Sequence, residues 1–482
     1  MHHVLRVSAL LVLLALVCTR AAPLPMGAVS SMSNAAADLR ALKSYTAAVE
    51  VYEQIAGLSP DDPDPLLSIG EIYLTQRRWL PAIDAFNRAL ARQGNCGTAQ
   101  AGLATATWER GDRLEALALW QMALANQPHL TGARLRLALA YLNLNRPAEA
   151  EATLHAVLVS DSGRHGEGEG NPLGQESIAS AHLYLAMMYA LDDADGARRQ
   201  LAAVPNNAPR AVVATRDYML AALKQSAADS EAEAARTLGL AFVQIEQWQL
   251  AREALERALA LDPTDAETMA FMGHVESQLG RPAMDHLAAA VAARPDWPLG
   301  HYLLGLYYVK YYLADMAIEE FLETLRLDPG NAQAQIDLAR AYTSVGNYLD
   351  AESAYRAAAE AEPEDLTFQL ALAHFYADHS LHVTDRGLAA ARSAADLAPD
   401  DPRGRDLLGW MYFLAGDPQK ARLHLLSALR LDREQPSTYY HLGMLYQALG
   451  QREAAHSAFS RAIDLDTDGW YRERAQDASN NE

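Results

Sequence analysis

Apolar and polar positions along this chain follow the period of a helix. Between residues 299 and 313, for example, His301, Leu304, Gly305 and Tyr308 fall at spacings of three and four, which places them on one face of an α-helix. Similar segments recur along the chain, and prolines such as Pro329 follow many of them, where they stop one helix before the next begins. The pattern predicts an all-α protein made of many medium-length helices.

The helical pattern also repeats at a fixed interval. Small residues recur 34 positions apart in three series, which are Gly70, Ala104 and Ala138; Gly305, Ala339 and Ala373; and Gly409 and Gly443. Further aromatic, small and large positions accompany them, and the markers of the repeat are Gly70, Tyr73, Gly239, Gly305, Tyr308, Ala317, Phe321, Gly409, Tyr412, Gly443 and Tyr446. We expect the small markers to let the two helices of a pair approach closely, and the large ones to fill the space opposite.

This arrangement resembles the tetratricopeptide repeat, whose helix–turn–helix unit has a Leu-Gly, Tyr, Ala, Phe and Pro pattern with a period of about 34. About eleven full units fit between Pro63 and Asp466. The resemblance implies a right-handed superhelical solenoid in which each repeat buries its core against its neighbours.

Departures from the period predict the domain organisation. A Gly-rich stretch lengthens one interval, a short second helix and an extra helix near 208–224 lengthen the next, and two additional residues fall in a loop near Ser380–Arg386. We therefore expect two arms joined near 190–230. The predicted segments are a signal peptide at 1–22, an atypical repeat at 29–60, a first arm at 63–160, a Gly-rich loop at 161–176, an irregular repeat with the extra helix at 177–230, a second arm at 231–466 and a polar tail at 467–482.

In the family that the chain resembles, the first helix of each pair lines the concave surface. The first helices carry aromatic and apolar residues at the corresponding positions, and the predicted partner groove comprises Trp108, Leu139, Tyr184, Phe271, Tyr302, Leu306, Trp410, Phe413 and Tyr440. Such side chains favour an apolar helix or an extended segment as partner. The same residues are also compatible with packing between first helices or with self-association, and both alternatives stay open.

No constellation of residues in the sequence indicates catalysis, metal binding or a cofactor. The motifs of P-loops, nucleophile elbows and zinc proteases are missing. His374, Asp378, His379 and His382 are close together, but the five-residue step from His374 to His379 does not match the one-turn spacing of helical ligands. We interpret this group as solvated loop histidines and the chain as a non-enzyme.

Charge narrows the class of partner. The chain has 40 Lys and Arg residues against 61 Asp and Glu residues, a formal net charge of −21. A nucleic-acid partner requires a basic stripe that displaces counterions from phosphates, and the chain has none. The expected partner is another protein or a peptide segment, and self-association is possible.

Residues 1–22 have the features of a secretory leader. Arg6 precedes the apolar stretch Val7–Val17, which is too short to span a bilayer comfortably, and small residues follow. We expect cleavage and export to the periplasm, the cell surface or the medium of a bacterium, with no transmembrane span left. Lipidation of Cys18 is the alternative; the second cysteine, Cys96, has no partner for an internal disulfide once the leader is removed.

These observations together predict a protein-binding scaffold without catalytic activity. The alternative is a structural or assembly protein of the cell envelope that acts through self-association or a lipid anchor. The two hypotheses differ in an observable way, because only the second predicts a membrane-bound or oligomeric state without an added partner.

Overall fold

The computed structural model describes residues 28–162, 172–227 and 229–480. Every regular element in these ranges is a helix, which confirms the prediction of an all-α repeat protein. The predicted signal peptide at 1–22, with Cys18, lies outside the described residues, as does the part of the predicted Gly-rich loop at 163–171.

The chain divides into two compact units. The first unit consists of the residues up to Leu130 and those from Asp432 onward. Its helices are α1 (Ala28–Ala41), α2 (Tyr45–Leu58), α3 (Asp64–Thr75), α4 (Trp79–Arg92), α5 (Gly97–Glu109) and α6 (Arg113–Asn126), together with the three last helices of the chain, α24 (Pro436–Ala448), α25 (Arg452–Leu465) and α26 (Trp470–Asn480).

The second unit is continuous from Thr131 to Leu431. Its helices are α7 (Thr131–Asn143), α8 (Pro147–Ser162), α9 (Pro172–Tyr189), α10 (Ala194–Ala203), α11 (Arg210–Ser226), α12 (Glu231–Gln244), α13 (Trp248–Leu261), α14 (Ala266–Gln278), α15 (Met284–Ala293), α16 (Pro298–Lys310), α17 (Ala314–Leu327), α18 (Ala332–Ser344), α19 (Tyr348–Ala361), α20 (Leu366–Asp378), α21 (Leu388–Leu397), α22 (Pro402–Leu414) and α23 (Pro418–Leu431).

Local chemistry explains where the helices begin. Ser230 caps α12 in a capping box, since its side chain accepts a hydrogen bond from the Glu233 amide and the Glu233 carboxylate accepts one from the Ser230 amide. The Asn331 side chain caps α18 in a similar way. Pro298 occupies the first turn of α16, where a missing N–H costs nothing. These signals fix the positions at which the three helices begin.

Small residues on first helices lie directly against large residues on second helices. A Cβ added to Gly305 would lie 2.6 Å from Cε1 of Phe321, and one added to Gly443 would lie 2.4 Å from Cε1 of Phe459. Gly70 has the same relation to Phe86, and Gly239 and Gly409 face Leu255 and Leu425. The phenylalanine rings are almost wholly buried, so these contacts form the core of each pair.

The remaining marker residues lie beside the same core. Tyr308 and Ala317 are buried. Tyr73, Tyr412 and Tyr446 are half-buried, and the rings of two of them contact charged or aromatic side chains. The Arg78 guanidinium lies over the Tyr73 ring, and the Tyr412 ring stacks on His424 with 5.3 Å between ring centroids. Each marker thus occupies a packing position.

The packing does not divide at the joint predicted near 190–230. The extra helix is present as α11, and its Met219 and Leu223 are buried in one apolar cluster with residues from Ala179 on α9 to Val275 on α14. The helix α11 contacts α9, α10 and α12, so the core continues through this region. The compact units have their boundaries at Leu130 and Asp432, and the division into two arms near 190–230 stays a prediction.

Two further segments differ from expectation. The residues inserted near Ser380–Arg386 form a π-helical turn, Val383–Gly387, in place of a loop, because extra residues within a helical segment are accommodated as a wider turn. In the predicted polar tail, α26 packs on α25 through Ala475, which is fully buried. Its few apolar residues make this helix hard to recognise in a polar sequence.

The first and last repeats of the chain meet inside the first unit. The backbone N–H and the hydroxyl of Thr46 donate to the Asp464 carboxylate at 2.8 and 2.5 Å. The Arg461 guanidinium donates to the carbonyls of Lys43 and Leu42 at 2.6 and 3.0 Å, just beyond the end of α1. We call this set of contacts the terminal clasp. Nothing in the periodicity of the sequence predicts it.

Candidate partner-binding surface

All nine residues of the predicted partner groove lie on the first helices of their pairs. They are distributed as Trp108 on α5, Leu139 on α7, Tyr184 on α9, Phe271 on α14, Tyr302 and Leu306 on α16, Trp410 and Phe413 on α22, and Tyr440 on α24. Each is half-buried. This partial exposure is compatible with packing between first helices and with binding of a partner, since a half-buried aromatic residue packs against its neighbours and still offers an edge or a face to a partner.

In the first unit, the two predicted groove residues are covered largely by the chain itself. The Trp108 ring lies 5.8 Å from Trp120 of the second helix in its own repeat. The Tyr440 ring lies 5.7 Å from Tyr471 on α26 and 6.2 Å from Phe459. These contacts favour a packing role for both residues.

In the second unit, three of the predicted residues pack against apolar clusters. Tyr184 lies beside the clusters of α7–α9 and of α9–α14, and burial raises the pKa of its hydroxyl. Phe271 lies between the cluster that starts on α9 and the one that extends from α14 to α22. Leu306 packs on the second of these. The position of Leu139 on α7 keeps it half-buried.

Tyr302 belongs to a polar network that the sequence analysis did not anticipate. Its hydroxyl donates to Asp337 Oδ2 at 2.8 Å, and Asp337 also accepts bonds from the Gln333 amide and the Arg340 guanidinium. Burial, followed by the nearby Asp337 carboxylate, raises the pKa of Tyr302. The network joins α16 to α18. The spacing of Gln333, Asp337 and Arg340 on one helical face is the signal that could have identified it.

The helix α16 presents little apolar surface, because its neighbours enclose it. It contacts α14, α15 and α17, and the Tyr302 hydroxyl joins it to Asp337 on α18. Leu303 and Leu304 are both buried in the resulting core.

A stacked aromatic pair lies on the first helix α22 of this unit. The rings of Trp410 and Phe413 stack with 4.9 Å between centroids and an interplanar angle of 20°. Both rings are half-buried, and residues three apart on a helix share a face. Preformed stacking of this kind presents a flat apolar surface whose side-chain rotamers are already restricted. We call Leu306, Trp410 and Phe413 the first-helix face.

The four polar residues at 374–382 do not converge on a common point. The His379 ring packs on Tyr348 and Phe375, with centroids 4.8 and 5.4 Å away. His382 Nε2 lies 3.8 Å from the Glu352 carboxylate. Among the residues that the structure describes, no group of three or more His, Cys, Asp or Glu side chains is arranged to hold a metal ion.

Glu352 is the centre of a buried polar cluster beside the π-helical turn. It accepts bonds from the Tyr376 hydroxyl at 2.7 Å and the Arg386 guanidinium at 2.5 Å. Burial acts to raise the pKa of Glu352, but these two donors outweigh it, so the pKa is lowered. The π-helical turn places Arg386 beside Glu352, and this ion pair gives the inserted residues a structural role.

None of the helices in the described ranges is long and apolar enough to cross a membrane. Cys96 is a free thiol buried near the start of α5.

The geometry agrees with what comparisons with known proteins find. Three models of the tetratricopeptide repeat match the chain, the first at residues 34–100, 302–365 and 336–383, the second at 108–164 and the third at 436–468. Similar proteins include Superkiller protein 3 of Schizosaccharomyces pombe, 26% identical over 182 residues, and the CTR9 homolog of Arabidopsis thaliana, 24% identical over 239 residues.

These matches cover limited parts of the molecules. They include 36% and 47% of this chain but only 13% and 22% of the two relatives, so the chain spans less than a quarter of either relative's length. Among solved structures, yeast Tom70 is similar over 87% of this chain and 96% of its own, with 16% identity and a TM-score of 0.39.

Proposed function

Because this chain belongs to the tetratricopeptide repeat family, we propose that it is a non-catalytic scaffold that holds a polypeptide partner on the first helices of its repeats. The single observation that carries the proposal is the stacked Trp410 and Phe413 pair on α22. Aromatic side chains at a partly exposed position are typical of the anchors that dominate the affinity of protein interfaces.

A polypeptide fits this surface better than a small molecule does. The first-helix face is spread over two first helices of the second unit, α16 and α22, whereas a small ligand requires a closed cavity that buries most of its surface. An apolar helix or an extended segment makes contacts of the required length.

The polar network around Asp337 adds a polar contact to this proposed interface. Arg340 is bound to Asp337 through one guanidinium nitrogen, and its side chain is mostly exposed. The remaining N–H groups of Arg340 are donors for carbonyl or carboxylate oxygens of a partner. These oxygens would lie near α18, between the apolar contacts on α16 and α22. We propose that the partner segment is apolar at its ends and polar in between.

The cellular location belongs to the proposal as well. The charged and apolar pattern of residues 1–22 supports export, and we propose that the partner is met outside the cytoplasm. The alternative role in envelope assembly predicts oligomers or membrane association without any partner.

Site-specific cross-linking tests the proposal. A photoreactive phenylalanine analogue would replace Phe413 in the full chain, and a matched chain would carry it at Leu423, which is well exposed on the second helix α23. After illumination in an extract of the source cells, we expect one defined polypeptide attached at position 413 and none at position 423. Trp410→Ala should abolish the cross-link while helicity stays unchanged.

Two outcomes contradict the proposal. Equal labelling from positions 413 and 423 would show that the first-helix face has no preference for the captured polypeptide. Cross-links only between copies of this chain would favour the assembly role. Tyr302 is left unchanged in the test, because removal of its hydroxyl would break the bond to Asp337 and alter the fold locally.

A further inference from the structure

The turn that follows the first helix in most repeats contains one residue with left-handed backbone geometry. It comes two positions after the end of the helix, and the residues found there are Lys43, Arg77, Gly111, Asn145, Glu246, Gly280, Tyr312, Gly346, Ser380, Gly416 and Gly450. Glycine adopts this geometry without steric cost, and asparagine tolerates it. Tyr312, with a φ of 59°, is the aromatic exception among them.

Tyr312 is also the most exposed large apolar side chain in the part of the chain that the structure describes. It is 94% exposed, so packing within the chain does not compensate for the strained backbone. The turn requires this left-handed geometry in most repeats, and a bulky residue adopts it at a steric cost that glycine avoids. Packing within the repeat therefore explains neither the choice of tyrosine at this position nor its exposure.

The residues around Tyr312 extend its apolar surface. Tyr311, Leu313 and Met316 are each between 43% and 45% exposed, and Tyr311 packs at 4.7 Å on Tyr307, which holds it in place. The corresponding turn of the next repeat has no side chain at Gly346, and a Cβ there would meet nothing within 4 Å. The space beside Gly346 is therefore open.

The next repeat continues the same surface. Leu349 is 78% exposed and Tyr348 is 43% exposed at the start of α19. Because α17 packs on α18 and α18 on α19, equivalent turns of successive repeats lie along one edge of the stack. We call Tyr311, Tyr312, Leu313, Met316, Tyr348 and Leu349 the turn surface. It is separate from the first-helix face, so it does not depend on the function proposed above.

Carboxylates border the turn surface. Asp315 and Asp350 are exposed in the first turns of α17 and α19, and Glu319 is exposed in the second turn of α17. In the described ranges, none of the three forms an ion pair with a Lys, Arg or His side chain. The nearby Lys310 donates to the Ser277 carbonyl of the preceding repeat. The border is therefore negative and has no internal counter-ion.

We propose that the turn surface binds a polypeptide segment that combines apolar or aromatic side chains with Lys or Arg. The apolar side chains cover Tyr312 and Leu349, and the basic groups pair with the bordering carboxylates or lie over the tyrosine faces. A second copy of this chain fits less well, because it would bring a net charge of −21 and the same three carboxylates to the contact.

Parallel selection of peptides tests the proposal. A phage library of random 12-residue peptides would be selected on the full chain and on the Tyr312→Gly variant. Glycine is the residue that five other repeats use at this position, so we expect this variant to fold at least as well as the parent, with a melting temperature that is not lower. Leu423→Ala, at an exposed leucine on a second helix, is the matched control.

We expect the parent to enrich peptides that contain both apolar and basic residues, and Tyr312→Gly to lose them. Synthetic versions should bind Tyr312→Gly at least tenfold more weakly than the parent, bind Leu423→Ala as tightly as the parent, and weaken with added salt. Equal enrichment on the parent and on Tyr312→Gly would overturn the proposal. So would parent-specific peptides that are neutral or acidic, or a concentration-dependent dimer of the chain that Tyr312→Gly removes.

Discussion

The terminal clasp predicts that a change near the end of the chain loosens its beginning. Arg461 is on α25, and its guanidinium donates to the carbonyls of Leu42 and Lys43, 419 and 418 residues away in sequence. These carbonyls lie just beyond α1, where a cation also interacts favourably with the helix dipole. Arg461→Met keeps the aliphatic stem of the side chain and removes both bonds.

The magnitude follows from those two bonds. A hydrogen bond from a charged group contributes about 1.5–3 kcal/mol when buried, and the guanidinium of Arg461 is only partly buried. We therefore expect the two bonds together to stabilise the contact by about 2 kcal/mol. Since about 1.4 kcal/mol corresponds to a factor of ten, opening of the contact should become roughly 30-fold more frequent.

Amide hydrogen exchange with peptide-level resolution is the appropriate assay, because repeat arrays open locally and do not unfold in one step. In Arg461→Met, the amides of residues 28–58 should exchange faster, whereas those of the second unit should not change. Arg452→Met, at an exposed arginine on the same helix, serves as the control for a general effect on α25. Unchanged exchange at 28–58, or equal acceleration along the whole chain, would refute the reasoning.

Three further predictions follow from individual contacts. Gly305→Ala would place a methyl group 2.6 Å from the Phe321 ring and should destabilise the chain in urea by about 1–3 kcal/mol, whereas Gly132→Ala, with nothing within 4 Å, should be neutral. Because the pKa of Glu352 is lowered in the folded chain, the unfolded chain binds more protons, and the stability that this group contributes should be lost as pH falls through the folded pKa. Hydrogen exchange in α19 should therefore become faster at acid pH, and Glu352→Gln should remove this pH dependence. Tyr302→Phe should speed exchange in α16 and α18 by about tenfold, the equivalent of roughly 1.5 kcal/mol, and no change there would show that the bond to the buried aspartate contributes nothing.

Periodicity predicts those parts of the fold that depend on contacts between neighbouring helices. The 34-residue spacing of small residues locates Gly305 opposite Phe321 and Gly443 opposite Phe459, because each pair is close in sequence and recurs in every regular unit. The extra helix was predicted near 208–224 and is found as Arg210–Ser226. In both cases a local pattern of apolar residues contains the necessary information.

Contacts between distant residues are outside the reach of such patterns. Thr46 and Asp464 are ordinary polar residues at positions that the repeat leaves variable, and nothing in either repeat indicates the other. The same is true of Tyr440, whose ring is covered by Tyr471 of α26. The half-burial of the predicted groove residues could not be predicted for the same reason. A helical period identifies the face on which a residue lies but not the neighbouring residue that covers it.

Functional information in a repeat protein therefore lies where one repeat differs from the others at an equivalent position. Packing requires the same residue type in each unit, as at Gly305 and Gly443, so a shared residue reports the fold and not the partner. Tyr312 replaces the glycine of other turns and gains no packing in return. Asp337, by contrast, is a buried carboxylate that the fold itself uses, because Tyr302, Gln333 and Arg340 satisfy it. A departure from the repeat that leaves a strained backbone and an uncovered side chain is the stronger indication of a partner.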